Sequence, residues 1–150
     1  MIKILLTITI SLLISACSIQ QTVEQANLPN QAELCIVKNI DVREGFLTEF
    51  KASLNRKSIP YRVVKHSLIP HNCTWRATYT ARWSWDLALY MSYAEIKIFH
   101  HNKLDGRAVY DSTKGSANLG KFIDAESKIQ DLVNELIQVN TSSLFSRIFG

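Results

Sequence analysis

Residues 74–86 read Thr74-Trp75-Arg76-Ala77-Thr78-Tyr79-Thr80-Ala81-Arg82-Trp83-Ser84-Trp85-Asp86. Trp75, Ala77, Tyr79, Ala81, Trp83 and Trp85 alternate with Arg76, Thr78, Thr80, Arg82, Ser84 and Asp86. A period of two puts every aromatic ring on one face of a strand and the polar groups on the other. That is the pattern of an antiparallel strand with one buried and one wetted face. Ala88–Phe99 follows with apolar residues on both faces, as a central strand has. The turn between the two is weakly marked, with Asp86 its one favourable residue. His101-Asn102-Lys103 is a clearer turn, because Asn tolerates positive φ, and Leu104–Asp111 returns as the next strand.

Working back from this hairpin, Leu34-Cys35-Ile36-Val37-Lys38 reads as a short buried strand. Asp41 with Glu44 three residues on has the form of a capping box. Phe46, Leu47, Phe50 and Leu54 then form one helical stripe, which should end before Pro60. Tyr61–Ser67 reads as a strand and Pro70-His71-Asn72 as a loop. Working forward, Lys114–Gly120 is a loop and Lys121–Val139 a second amphipathic helix carrying Phe122, Ile123, Ile129, Leu132, Val133, Leu136 and Ile137. The order β-α-β-β-β-α predicts an α+β domain in two layers, a mixed sheet with two helices on one face.

The 150 residues suit one domain. At 47% hydrophobic and 20% charged, the chain can bury a core and is not intrinsically disordered. Its formal net charge of +4 is spread along the sequence with no basic stripe, which argues against nucleic acid as a partner. Lys3, the apolar run Ile4–Ile14 and the small pair Ser15-Ala16 form the three parts of an export signal. The run is too short for a membrane-spanning helix, which needs about 20 residues. Ile14-Ser15-Ala16-Cys17 resembles the lipobox of bacterial lipoproteins. That resemblance implies cleavage before Cys17, attachment of diacylglycerol to its thiol, and acylation (palmitate or a like chain) of the new amino terminus. Ser18, in place of the Asp that retains lipoproteins at the inner membrane, points to the periplasmic face of the outer membrane. Residues 1–16 are thus read as signal peptide, 17–32 as a lipidated flexible tether rich in Gln and Asn, 33–140 as the folded domain, and 141–150 as a tail.

In an exported chain an odd cysteine count asks for a separate role for one of them, here Cys17. Cys35 and Cys73 remain inside the body. An oxidising compartment favours their disulfide over two buried thiols, although spacing alone does not show that they approach.

Gly115–Lys121 matches G-x-x-x-x-G-K, but Phe122 stands where a phosphate-binding loop needs Ser or Thr, and the helix closes the domain. No nucleotide and no other cofactor is expected. His66, His71, His100 and His101 lack metal-ligand spacing and a carboxylate companion, so no metal is expected. Asp86, Glu95, Asp105 and Asp111 are scattered, and no nucleophile elbow is present, so no catalytic residue is assigned. Aromatics on one strand face usually pack inward. Trp83 and Trp85 are nevertheless the candidates for a partner surface if the helices leave them uncovered.

Val37–Ile137 resembles a family of small proteobacterial lipoproteins of the Sbal type. The resemblance is carried by Lys38-Asn39, by Asp41-Val42-Arg43-Glu44-Gly45-Phe46-Leu47, by Tyr79–Met91, by Tyr93-Ala94-Glu95-Ile96-Lys97, by Ala108-Val109-Tyr110-Asp111-Ser112 and by Gly120–Glu126. It implies an envelope location and an α+β fold and carries no activity with it. The leading expectation is a membrane-anchored, non-enzymatic envelope lipoprotein that binds an envelope protein or another envelope component. The alternative is a carrier of a small apolar ligand or lipid, with its pocket between sheet and helices.

Overall fold

In a computed structural model, which describes residues 19–29, 31–115 and 118–138, the chain folds as the expected α+β domain with a mixed sheet. The strands are β1 (Gln20–Glu24), β2 (Leu34–Lys38), β3 (Tyr61–Lys65), β4 (Trp75–Asp86), β5 (Ala88–His100) and β6 (Lys103–Asp111). Helix α1 (Glu44–Arg56) lies between β2 and β3, and α2 (Ala125–Leu136) follows β6 after a short 3-10 turn, Leu119–Phe122. The sheet order is β1-β6-β5-β4-β2-β3. β2 is parallel to β3 and β4, and the other pairs are antiparallel.

Both helices cover one face. Phe46, Phe50 and Leu54 of α1 and Ile129, Leu132 and Leu136 of α2 join Leu34, Ile36, Ala77, Tyr79, Ile96 and Ile98 in one buried cluster. Phe46 stacks on Tyr79 with ring centroids 5.0 Å apart, and Phe50 meets the same ring edge-on. These side chains pack between the sheet and the helices. On the opposite face Cys35, Val37 and Val64 form a small second cluster with Ile69 and Cys73. Cys35 and Cys73 are disulfide-bonded, with Cα atoms 5.8 Å apart. Arg62 lies against the bridge. Its Nε donates to Cys35 Sγ (3.3 Å), and its Nη2 reaches Cys73 Sγ (3.5 Å) and Asn72 Oδ1 (2.6 Å).

Several boundaries differ from expectation. The segment read as a tether is part of the domain from Gln20 onward. β1 forms because its backbone pairs with all of β6 from Arg107 to Asp111, which needs no apolar periodicity from its own side chains. Ala26 then packs over Gly106, and its N–H donates to Leu136 O (2.8 Å). The capping box is not formed: Asp41 is held by Asn39, Arg43 occupies the cap position, and Glu44 turns to Lys38 (3.1 Å). α2 starts at Ala125, not Lys121, because Asp124 is the true cap and accepts from the Ser127 N–H (2.8 Å). The signal peptide, Cys17 and the 141–150 tail lie outside the described residues.

Candidate interaction surface

Strand direction gathers the relevant residues at one end of the sheet. β2, β3, β4 and β6 all finish there, and β1 begins there, since Gln20 pairs with Asp111 and Asp111 with Tyr93. The β4–β5 hairpin projects beyond its neighbours at this end. Past Arg82–Tyr93 the register slips: Trp83 pairs with Met91, and Ser92 is left over as a bulge. The tip is closed by Leu87 alone, at φ 61°, with Asp86 and Ala88 as register partners.

This end is where the exposed apolar side chains lie. Trp85 is 74% exposed, Leu87 91%, and Leu89, the register partner of Trp85, is also exposed. Ile40 just after β2 and Leu68 just after β3 are exposed, as are Leu119 and Ile123 in and after the 3-10 turn. Among the described residues, only Val63 and Leu104 are large exposed hydrophobics elsewhere. Ile19 packs beside the 3-10 turn, within 3.4 Å of where a Cβ on Gly120 would stand. Cys17 is two residues earlier, so the chain between them spans at most about 7 Å.

Trp83 and Trp85 therefore separate. Trp83 is half-buried at the edge of the core, with the Arg43 guanidinium 5.3 Å from its ring centroid. Trp85, two residues on, lies beyond the cover of the helices. Trp75, Ala77, Tyr79 and Ala81 are core, as alternation implies. Of the other exposed hydrophobics at this end, Ile40, Leu68, Leu87 and Leu119 sit outside any periodic stretch, whereas Leu89 and Ile123 belong to stretches that read as a strand and a helical stripe.

The phosphate-loop resemblance is accounted for structurally. Asn118 Oδ1 accepts from the Gly120 N–H (2.9 Å), and the buried Lys121 ammonium pairs with Asp86 and lies over the Tyr90 and Phe122 rings. This contact fastens the 3-10 turn to the hairpin tip. The other acids are likewise engaged. Glu95 sits between Lys97 (3.0 Å) and Arg107 (2.6 Å), and Asp105 accepts from the Asn27 N–H (2.7 Å). Burial alone would raise the Glu95 pKa, but the hydrogen bonds and charges of Lys97 and Arg107 outweigh it and hold the carboxyl below its ordinary value. At the far end of the sheet His100 stacks on Trp75 (4.1 Å) and His101 leans on His100. Among the described residues no group of three metal-ligating side chains converges, and no helix is long and apolar enough to cross a membrane.

A groove opens at the same end. β2 and β4 pair only over Leu34–Ile36, then part. Asn39 bridges the gap, its Nδ2 donating to Tyr79 O (3.0 Å) and its backbone N–H to Tyr79 Oη (3.2 Å). Burial pushes the Tyr79 phenol up, so it stays protonated. The groove encloses about 860 Å³, with Val37, Ile40 and Thr78 among its lining residues and Lys38, Lys65 and His66 the basic ones.

No protein-family model and no curated protein sequence matches the chain. Among solved structures it is similar to the PelC dodecamer from Paraburkholderia phytofirmans, at TM-score 0.56 and 11% identity, over 79% of this chain and 98% of that one. A leucine-to-methionine variant of the same protein aligns at TM-score 0.50 and 12% identity, over 77% and 90%. A minor lipoprotein from Acinetobacter baumannii aligns at TM-score 0.41 and 12% identity, over 71% and 88%. The PelC likeness is one of fold.

Proposed function

We infer that this chain is an envelope lipoprotein, acylated at Cys17, whose domain stands end-on at the periplasmic face of the outer membrane and binds an envelope partner without catalysing a reaction. The observation that carries this is the crowding of exposed Trp85, Leu87, Leu89 and Leu119 at the end of the sheet where the chain enters from Cys17. A soluble domain rarely leaves several large apolar side chains together in water unless they meet a protein or a membrane. Fully burying one such side chain contributes about 1.5–3 kcal/mol. Even partial burial of the hairpin tip in the headgroup region thus adds usefully to the acyl chains, which contribute about 0.8 kcal/mol per buried methylene. A short link from anchor to β1, in place of a long tether, holds the tip close to the bilayer.

The lipid-facing end leaves the wetted face of the sheet and its free edge strand β3 for a partner. PelC is described as a dodecamer, so a second copy of this chain is one partner to test, by sedimentation of the mature protein in detergent.

Mass spectrometry of the protein made in a Gram-negative host tests the anchor. The expected mature chain begins at Cys17 and carries acyl mass. A chain that keeps Met1, or begins at residue 17 with no added mass, overturns this reading.

A further inference from the structure

The sheet has two open margins, β3 on one side and β1 on the other. Each leaves a row of backbone N–H and C=O groups with no strand beside it. β3 finishes at the end of the sheet where β1 begins, so the two margins run in opposite directions. Copies anchored through Cys17 in one leaflet therefore present β3 of one antiparallel to β1 of the next, with the helices of both on the same side. Antiparallel pairing of β3 with β3, or of β1 with β1, would instead turn one anchor away from the membrane. The side chains of the two margins fit one register. Val63 lies on the helix-covered face as the partner of Ile36, yet is 41% exposed. Val23 lies on the same face at the other margin, as the partner of buried Ala108. Setting Val63 against Val23 puts Lys65 opposite Gln21, and Arg62, which also meets Glu33 (3.2 Å), opposite Glu24. Gln21 Nε2 donates to Glu135 Oε1 (2.8 Å), so Lys65 arrives beside a carboxylate. Lys65, Glu24 and Glu135 have no ion-pair partner among the described residues. One margin is thus basic and the other acidic, around a central pair of valines.

We propose that copies of this chain join head to tail in the plane of the membrane, the β3 margin of one pairing with the β1 margin of the next and Val63 opposing Val23. This rests on the reading that the sheet stands end-on at the bilayer with β3 left for a partner, and it makes that partner a second copy. Each strand is five residues long, so a single contact is small. Confinement to a surface raises the effective concentration at which the margins meet. Every copy offers one margin of each kind, so the contact is heterologous, and assembly runs past the dimer until a ring closes.

The test is thiol cross-linking of the mature, acylated protein in phosphatidylglycerol vesicles. With Cys35 and Cys73 bridged and Cys17 acylated, an introduced cysteine supplies the free thiol. Val23→Cys together with Val63→Cys in one chain, oxidised with copper phenanthroline, should give dimers, trimers and larger species on a non-reducing gel. A mixture of the two single variants should stop at dimers, and either alone should link at least tenfold less. Thr22→Cys with Val63→Cys, on opposite faces of the sheet, should link at least fivefold less. Lys65→Glu should cut the ladder at least fivefold, and adding Glu135→Lys should restore it. Thermal unfolding confirms that each variant is folded. A single variant linking as well as the pair, the Thr22 pair linking equally, a ladder unmoved by Lys65→Glu, or no ladder at all overturns the proposal. Acyl mass and vesicle flotation are read on the same samples. An acylated, floating protein that gives no ladder loses the edge contact alone, whereas a protein without acyl mass loses the membrane reading.

Discussion

Leu87 closes the β4–β5 hairpin in the left-handed region of backbone space, where a Cβ costs roughly 1–2 kcal/mol. Its side chain touches little, being 91% exposed, so packing does not offset that cost. Leu87→Gly should therefore raise the unfolding free energy by about 0.5–1 kcal/mol, read as a slightly higher urea midpoint, while weakening vesicle binding. A variant that loses stability, or that binds vesicles as before, would show that the leucine is there for the fold. Turn propensity disfavours leucine, so the sequence gives little warning of this turn; the two asparagine-side residues of the next turn, His101 and Asn102, both adopt positive φ as Asn102 suggests. Gly106 is required for another reason. A Cβ there would lie 2.6 Å from the backbone N of Ala26. Gly106→Ala should lower stability by about 2 kcal/mol or more, read from denaturant unfolding, because β1 must shift off β6. The need for glycine was invisible in the sequence, since its neighbour lies in a segment with no apolar pattern.

β2, α1, β3, β4, β5 and β6 were legible because each carries its own periodicity or is bounded by turn residues. β1 was not, since Gln20, Gln21, Thr22 and Glu24 give no stripe and its order comes from backbone pairing with β6. The start of α2 was misplaced because Phe122 and Ile123 extend the apolar stripe upstream of the real cap at Asp124. The exposed apolar end of the sheet was half legible. Trp85 was in view, but its companions come from four separate connections that only the parallel and antiparallel strand directions bring together. The disulfide ties β2 to the entry of β4 across 38 residues. Replacing Cys35 and Cys73 by alanine should lower unfolding free energy by about 3–4 kcal/mol on the loop-entropy account. A reducing agent should lower the wild-type urea midpoint to a similar extent and leave that of the double variant unmoved.

Three carboxylates, Glu95, Asp111 and Asp124, tie the stability of the whole molecule to pH. Glu95 is held below its ordinary value against the opposing effect of burial. Asp111 is lowered chiefly by the Thr113 hydroxyl, and Asp124 by the Ser127 N–H at the α2 cap. Each binds a proton more readily in the unfolded chain than in the fold. Their stabilisation is thus present above the ordinary carboxylate range, near pH 4, and is lost as pH falls through the lower folded values. Urea midpoints should hold from neutrality down to about pH 5 and then decline, and Glu95→Gln should make that decline shallower. The same molecule is asymmetric in its apolar exposure, with most of its large exposed hydrophobics at the end of the sheet where β1 begins. Fluorescence quenching of the mature protein in vesicles containing brominated phospholipids tests this seating most directly, because Trp75 is buried at the far end and Trp83 is half-buried. Strong quenching that disappears in Trp85→Phe is expected; emission untouched by brominated lipid while the protein remains vesicle-bound would show that the hairpin tip stays in water.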